Sequence, residues 1–549
     1  MQAMITQEQS YVPISIFGDQ FINLSPEDYP NSEWSQLRGN YELCWSYYQG
    51  YVLNKKTGDG KQLLYPVKLN IVRSACINHA AVLLGQFDDD AIVKFGIKNI
   101  PSISKEVRQT TTDALNMLWA VNGGDETLLE QALYQQIFGG CFWKIAWTPT
   151  RQKWPIRFFA IDPRAVFAVW DGDDMTRLVS VDVNYQIPKP TAAARYRVTS
   201  WREQSETAEY VTVHEHWDEA EYFIKVDEQP GRWPDNSEMS GRNPFLDPVL
   251  GLTIIPYVYA PRIRAGGFYG DPLPPSLIGP QDEINNNLAH LSEGLADAMH
   301  QQPWVKNRPK GTQGMNRPRN EWLDLGMKQS GGDSPEVGRL PGAEINEPMI
   351  DLATDNILRL AREHVNLPDV AWGRTDASIR SALTLKYMMW PTINVGLHYR
   401  KHMSTGLKWG NHHALVIAHS KRQVSEGLNG VTSLGIDAVT PQMIEAVIVG
   451  HKTLWPPMLP DDRAELVNEI VQRIGTGLIS PETGVRRLDG TDELEDEMNR
   501  IDEHRKKIAE ETAKRDEEAM AQKAELTQKA KDQTTKAQAA GGRAKGNGK

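Results

Sequence analysis

Several groups of residues in this chain have types and spacing that suggest chemistry, and each falls short of a working site. A nucleotide-driven motor needs a glycine-rich loop whose backbone N–H groups cradle phosphate and which ends in Lys followed by Ser or Thr. The nearest match is Gly58-Asp59-Gly60-Lys61, but Lys55 stands where the first Gly of such a loop belongs and Gln62 follows the lysine. It reads as a turn. Metal-dependent nuclease chemistry needs carboxylates converging on a metal pair. The acidic runs Asp88-Asp89-Asp90 and Asp171-Gly172-Asp173-Asp174 sit between structured segments, and adjacent residues cannot all point at one metal pair, so both read as solvated turns. Zinc would suit His214 and His216, which share a strand face, or His398 and His402, one helical turn apart, yet neither pair has a third ligand or the Glu of an HExxH helix. Cys44, Cys76 and Cys141 lie in CWSYY, ACINHA and GGCFWK without CxxC spacing and read as buried free thiols. The chain is therefore expected to be no enzyme, with no cofactor and no metal.

Bulk properties narrow the class. The chain has 549 residues, and at roughly 150 residues per domain it should divide into about three structural regions. Hydrophobic residues at 40% and charged residues at 24% are those of a folded globular protein. No stretch approaches the ~20 apolar residues of a bilayer span, and the first residues lack the basic start and apolar core of a signal peptide. The expectation is a cytosolic protein that does not enter a membrane. A net charge of -11 argues against a protein that grips nucleic acid over a broad surface. It is compatible with a conduit, because an acidic wall repels phosphate and lets a duplex slide.

Positioning elements follow from periodicity. Helical stretches are expected from about residue 11 to 86, the clearest at 66–84, where Leu69, Val72, Cys76, Ala80 and Leu83 keep helical spacing. A second block spans 111–138, with a break at Gly123-Gly124 and an end at Gly139-Gly140. Residues 141–227 read as antiparallel strands, a loose stretch covers 229–247, and LTIIPYVYA reads as one more strand. A helix beginning near Pro280 places Ile284, Leu288, Leu291, Leu295 and Met299 on one face. A Pro-, Gly-, Asn- and Arg-rich segment with short extended pieces follows to about residue 346, and a second helix over 347–365 puts Ile350, Ala353, Ile357, Leu360 and His364 on its stripe. Beyond NLPDVAWGRTDAS, a stretch of ~42 residues at ~1.5 Å each would measure roughly 60 Å. Pro391 and Gly396 predict a kink in it. Short capped helices continue to about 488, and from Thr491 the composition suggests an exposed helix followed by a disordered tail.

The order helix, compact insertion, helix, short loop, long kinked helix resembles the stem, clip, stem, tunnel loop and wing helix of tailed-bacteriophage portal proteins. The local sequences IIPYVYA, FYGDP and PQDEINNNLAHLSE are similar to the family's approach to its first stem helix, and LWPPMLPDDRAELVNEIVQRIGTGLISPETGVRRL to its crown. The likeness runs from about residue 40 to 490. It implies an α+β portal fold: a wing over 1–279, stem helices at 280–302 and 347–365, a small α/β clip at 303–346, a tunnel loop at 366–378, a long wing helix at 379–420, a helical crown at 421–490 and a tail at 491–549. It also implies a dodecameric homo-oligomer at one capsid vertex of the virion, assembled in host cytoplasm. Double-stranded DNA would pass through it, and the large terminase subunit, the major capsid and scaffolding proteins, and a head-completion adaptor would be its partners. By position in that family, Trp372 and Arg374 would face DNA in the tunnel loop. Lys306, Arg308, Lys310, Arg317 and Arg319 would form a basic clip cluster that docks the motor or connector where DNA exits. Apolar stripes on two helices joined by an insertion with little core call for pairing or for neighbouring subunits, which assigns Ile284, Leu288, Leu291, Leu295, Ile350, Ile357 and Leu360 to stem packing. A structural neck, adaptor or scaffold ring that never contacts DNA is the other reading.

Overall fold

The computed structural model describes residues 32–50, 69–85, 91–148, 155–299 (except 203, 204, 206, 234, 265 and 266), 303–307, 323–324, 334, 336–339, 355–372, 382–424, 439–458, 463–476, 478, 479, 484 and scattered positions over 506–531. Two compact units divide the chain, Met1–Leu459 and Pro460–Lys549. The first unit opens with α1 (Ser32–Gln49), α2 (Ile71–Leu84), β1 (Lys94–Ile97), α3 (Lys105–Val121) and α4 (Gly124–Phe138). Strands β2 (Gly140–Trp147), β3 (Ile156–Ile161), β4 (Val166–Trp170) and β5 (Leu178–Pro188) follow, then α5 (Lys189–Tyr196). Next come β6 (Tyr210–Asp218), β7 (Glu221–Val226), β8 (Gln229–Pro230), β9 (Ser240–Arg242) and β10 (Tyr257–Pro261). Helix α6 (Pro275–Met299) leads to β11 (Pro303–Lys306), β12 (Leu323–Asp324) and β13 (Glu336–Arg339). The unit closes with α7 (Ile357–His364), α8 (Ala382–Met388), α9 (Trp390–Val424), α10 (Pro441–Gly450) and β14 (His451–Leu454). Helices and largely antiparallel sheets together make an α+β chain.

Local chemistry sets the boundaries. Helix α2 starts at Ile71, later than its apolar spacing suggested, because the Asn70 side chain accepts from the Arg73 N–H and caps it; Leu69 is left outside and exposed. The expected break between α3 and α4 falls at Gly123, which adopts φ +60°. Helix α4 stops at Gly139, φ +79°, where a Cβ would overlap the Gly270 carbonyl, so only glycine fits this crossing. Strand β6 alternates strictly, burying Val211, Val213, Glu215 and Trp217 and turning His214 and His216 outward. It sits in the sheet β4-β5-β6-β7-β8, with β9 on β7, while β10-β2-β3 form a second sheet against which α4 and α9 pack.

Several expectations need correction: helix α5 interrupts the residues 141–227 read as strands, and α3 begins at Lys105, capped by Ser104, before the expected 111. Helix α6 begins at Pro275, a turn and a half before Pro280, because Leu277 and Ile278 donate to the Pro274 carbonyl and Leu273 and Leu277 are buried. The long helix is two: α8 ends at Met388 and α9 starts at Trp390, placing the interruption just before Pro391, whose ring lacks an N–H and crowds the turn behind it. Gly396 lies inside α9 and serves close packing, since a Cβ there would stand 2.9 Å from Val82 Cγ1. Residues 439–458, expected in a region beginning at 421, belong to the first unit: α10 packs on α9 and α3, and β14 pairs antiparallel with β1. In the second unit, helix α11 (Arg463–Gly475) buries Ile470, and the described residues over 506–531 are helical and exposed.

Candidate functional site

The site is the pair of helices α6 and α7, the insertion between them and the turn that follows. At the root of α6, Gln281 and Asn285 lie one helical turn apart and are both buried. Gln281 Oε1 accepts from Ile71 N at 2.6 Å and Val72 N at 3.3 Å, two first-turn donors of α2 that have no partner within their own helix. Its Nε2 donates to Leu69 O. Asn285 accepts from Leu69 N at 2.9 Å and donates to Leu69 O at 3.2 Å. The end of α1 joins the same knot: Tyr47 donates to the Asp282 carboxylate at 3.0 Å, and Asn70 Nδ2 donates to the Tyr48 carbonyl at 2.9 Å. Burial pushes the Tyr47 hydroxyl pKa up, and Asp282 adds to it, so the phenol stays protonated and donating.

Burial fades along the helix. Ile284 is fully buried, Leu288 and Leu291 are half-buried, and Leu295 is 52% exposed. On α7, which packs against α6, Ile357 is half-buried and Leu360 is 56% exposed. Ile350 lies outside the described residues. Within the insertion, β11 pairs parallel with β12 and antiparallel with β13, a three-stranded sheet between the two helices. Lys306 is exposed at the end of β11; Arg308, Lys310, Arg317 and Arg319 lie outside the described residues.

The return from α7 is anchored as firmly as the root of α6. Asn366 takes φ +58°, a left-handed cap that Asn tolerates, and Leu367 N donates back to Arg362 O at 2.9 Å. His79 Nε2 donates to the Val365 carbonyl at 2.8 Å, and Thr392 Oγ1 donates to the Asn366 carbonyl at 2.6 Å. Burial lowers the His79 pKa to about 3, with Arg262 adding to it, so the ring is neutral and keeps this bond. Arg362 then bonds Asp369 at 2.9 Å and lies 5.2 Å above the Trp372 ring. Trp372 is half-buried at the end of the 3₁₀ turn Asp369–Trp372, held by Arg362 and the core; Arg374 lies outside the described residues.

The other sequence candidates resolve into structure. His214 and His216 flank Asp182 at 3.1 and 2.8 Å. Burial pushes Asp182 up, but the hydrogen bonds from both rings win and hold it at about 2, while bonding to Asp182 raises the His216 pKa. His398 is exposed, and burial lowers the His402 pKa. In the 171–174 run, Asp171 pairs with Arg177 at 3.2 Å and Asp174 caps Thr176 N at 2.8 Å, as a turn requires. All three cysteines are buried free thiols, with burial raising each pKa, that of Cys44 to about 12. Among the described residues no group of three or more ligating side chains could hold a metal. No helix there is long and apolar enough to cross a membrane. Residues 58–61 and 88–90 lie outside the described residues.

Sequence reasoning missed the buried polar anchors. Glu215 is fully buried against Lys144 and accepts from Trp217 Nε1 at 2.7 Å; its place on the inward face of an alternating strand was the available signal. Asp247 Oδ2 and His412 Nε2, both buried, approach to 2.8 Å across 165 residues, and nothing local announces it. The Gln281 and Asn285 bonds were likewise hidden in what read as the polar face of α6. No protein-family model matches the chain, and no curated protein sequence matches it.

Proposed function

We propose that this chain is the portal subunit of a tailed bacteriophage, a non-enzymatic component of a dodecameric ring at one capsid vertex through which double-stranded DNA is packaged and ejected. The observation that carries the reading is the packed helix pair α6 and α7, joined in sequence by an insertion that holds a small sheet, with roots tied into the α+β body and with Leu295 and Leu360 exposed. A single chain leaves those leucines in water, and ring neighbours would cover them. In this reading the insertion is the clip that meets the large terminase subunit and later the head-completion adaptor, and the body meets capsid and scaffolding proteins. The turn ending at Trp372 leads into the segment that carries Arg374 beside DNA.

Electron cryomicroscopy of the purified chain, with class averages down the axis, tests the proposal. Twelve-fold rings with a channel wide enough for a duplex are expected. Monomers, or oligomers without a channel, would refute it and favour the adaptor or scaffold reading. Replacing Arg374 with Ala in assembled rings is expected to alter packaging or DNA retention. Unchanged packaging with stable heads would remove the DNA-facing role.

A further inference from the structure

Between β9 and β10 the chain reads NPFLDPVLGLTII, and Leu246 bridges to Thr253 to close a tight loop. Asp247 organises its turn, Oδ1 accepting from Val249 N at 2.8 Å and Leu250 N at 3.1 Å. The loop meets α9 through His412, whose Nε2 lies 2.8 Å from Asp247 Oδ2. Here lies a cavity of about 130 Å³, walled by Leu250 and Ile254 of the loop, Val258 of β10, and Trp409, His412 and His413 of α9. A water takes on the order of 10–15 Å³ of such space, so there is room for roughly ten atoms of that size.

The chemistry of the walls selects a ligand. The lining has one Arg and one Asp, and both are engaged: Arg177 pairs with Asp171 and Glu219, and Asp174 accepts from Thr176 N at 2.8 Å and Thr176 Oγ1 at 2.7 Å. What remains without a partner is imidazole. Among the described residues no group bonds His412 Nδ1 or His413 Nδ1, though both atoms are buried and His412 is only 1% exposed. A buried polar atom is costly to a fold unless something meets it. Burial, with His412 adding to it, lowers the His413 pKa to about 3, so that ring is neutral. Burial raises the Asp247 pKa, but His412 and the two loop N–H groups outweigh it, so the carboxylate is ionised and keeps a proton on the facing His412 Nε2. In a neutral His412 ring the lone pair is then at Nδ1. A hydroxyl suits that atom in either protonation state, because it both donates and accepts. The remaining wall is apolar, and Trp409 adds an aromatic surface, meeting His412 edge-on at 5.2 Å. Apolar walls with a few placed polar atoms are the pattern of a small-molecule site. An ionised ligand would bring an unbalanced charge into it.

We propose that this cavity binds a neutral cyclic compound of about seven to ten non-hydrogen atoms carrying one hydroxyl, a phenol or cyclic alcohol, with the hydroxyl on His412 Nδ1 and the ring against Ile254, Val258 and Trp409. A cyclic body is favoured over an open chain because it has no rotors to freeze on binding. All the walls come from one chain, so the site does not depend on subunit assembly.

Saturation-transfer NMR on the full chain, titrated in turn with phenol, toluene and benzoate, is the test. Phenol is expected to bind with a Kd on the order of a millimolar. Toluene, of the same size but unable to meet Nδ1, is expected to bind at least about tenfold more weakly, and benzoate not at all. Leu250→Trp, a change at a position 45% exposed, should abolish phenol uptake by filling the space. In the double variant His412→Leu with Asp247→Asn, which leaves no buried carboxylate facing an apolar group, phenol and toluene should bind within about threefold of each other. No phenol binding at millimolar concentration would leave the Nδ1 atoms to water and overturn the proposal. Toluene or benzoate binding as tightly as phenol, or uptake unchanged by Leu250→Trp, would overturn it as well. Should the double variant not fold, the unsubstituted chain and Leu250→Trp still decide.

Discussion

Replacing Gln281 with Ala should loosen the joint between α6 and the start of α2, and the size of the effect follows from the bonds removed. Gln281 is 1% exposed, and its Oε1 serves Ile71 N at 2.6 Å and Val72 N at 3.3 Å, both in buried residues. Losing the short bond orphans a buried N–H at about 1–3 kcal/mol, and the longer one adds a smaller amount. The lost methylene packing contributes roughly 1 kcal/mol. Alanine's better helix propensity returns only about 0.4 kcal/mol. The Leu69 carbonyl stays satisfied by Asn285 Nδ2 at 3.2 Å, so it adds nothing until Asn285 is removed too. The sum is about 3 kcal/mol, which corresponds to roughly hundredfold faster exchange of the Ile71 and Val72 amides if α2 opens locally. Native-state amide exchange measured residue by residue is the assay. The double variant with Asn285→Ala should cost more than the two single changes together, because only then is the Leu69 carbonyl abandoned. Exchange at Ile71 within about threefold of the unsubstituted chain would refute the view that this glutamine fixes α6 to the body.

Other consequences can be checked with standard measurements. His79 is neutral in the fold at a pKa of about 3. Its unfolded form, near 6.5, takes up a proton as pH falls, so stability is full above about pH 6.5 and is lost from there toward 3. At pH 5 the loss is about 2 kcal/mol, and His79→Gln should flatten that slope in denaturant titrations at several pH values. Buried His413 and His451 push the same way. His216 runs opposite, since Asp182 raises its pKa: its contribution is present below the unfolded value and fades as pH rises through the folded one. Asp182→Asn should lower the His216 midpoint in an NMR titration. Gly406→Ala places a Cβ 2.7 Å from Trp143 Cζ3 and 2.8 Å from Ala260 Cβ, so overpacking of ~1–3 kcal/mol should outweigh a propensity gain of ~1 and lower the melting temperature. Gly279→Ala in α6 meets nothing within 4 Å and should raise it. If the chain forms the proposed ring, Leu295→Asp and Leu360→Asp should abolish it while leaving the monomer's melting temperature nearly unchanged, because both residues are exposed in the single chain.

How much was legible depended on whether a feature was local. The alternation of YVTVHEHWD and the glycine pairs at 123–124 and 139–140 announced β6 and the limits of α4 because period and breakers are properties of neighbouring residues, whereas the caps at Asn70 and Ser104, which start α2 at Ile71 and α3 at Lys105, went unread. Prolines were harder to place. Pro280 looked like a helix start, yet burial of Leu277 and Leu273 extends the helix backward past it, a tertiary gain that no propensity contains. The pairing of β14 with β1 joins residues more than three hundred positions apart, so a strand as short as HKTL carried no sign of its partner. At the candidate site, the apolar stripe of α6 was readable. Its buried amides were not, since Gln281 and Asn285 look like solvated residues until the backbone at 69–72 is known to face them.

Those amides also explain why the joint is polar. An apolar contact between α6 and the body would tolerate sliding, because its energy depends on area and hardly on register. Gln281 and Asn285 instead read the donors and acceptors of 69–72 in a fixed order, and a slip of one residue would break every bond. At the return, the His79 and Thr392 bonds to consecutive carbonyls fix α7 in the same way. Both helices thus leave the body at set angles while Leu295 and Leu360 stay exposed. In the ring we propose, each subunit's angular error would add to its neighbour's, and closure after twelve copies demands small errors. Fixing direction with hydrogen bonds at the roots and leaving apolar contact for the neighbours separates the two tasks. It follows that loosening a root by Gln281→Ala should widen the distribution of ring sizes before it prevents assembly, whereas Leu295→Asp should prevent assembly outright.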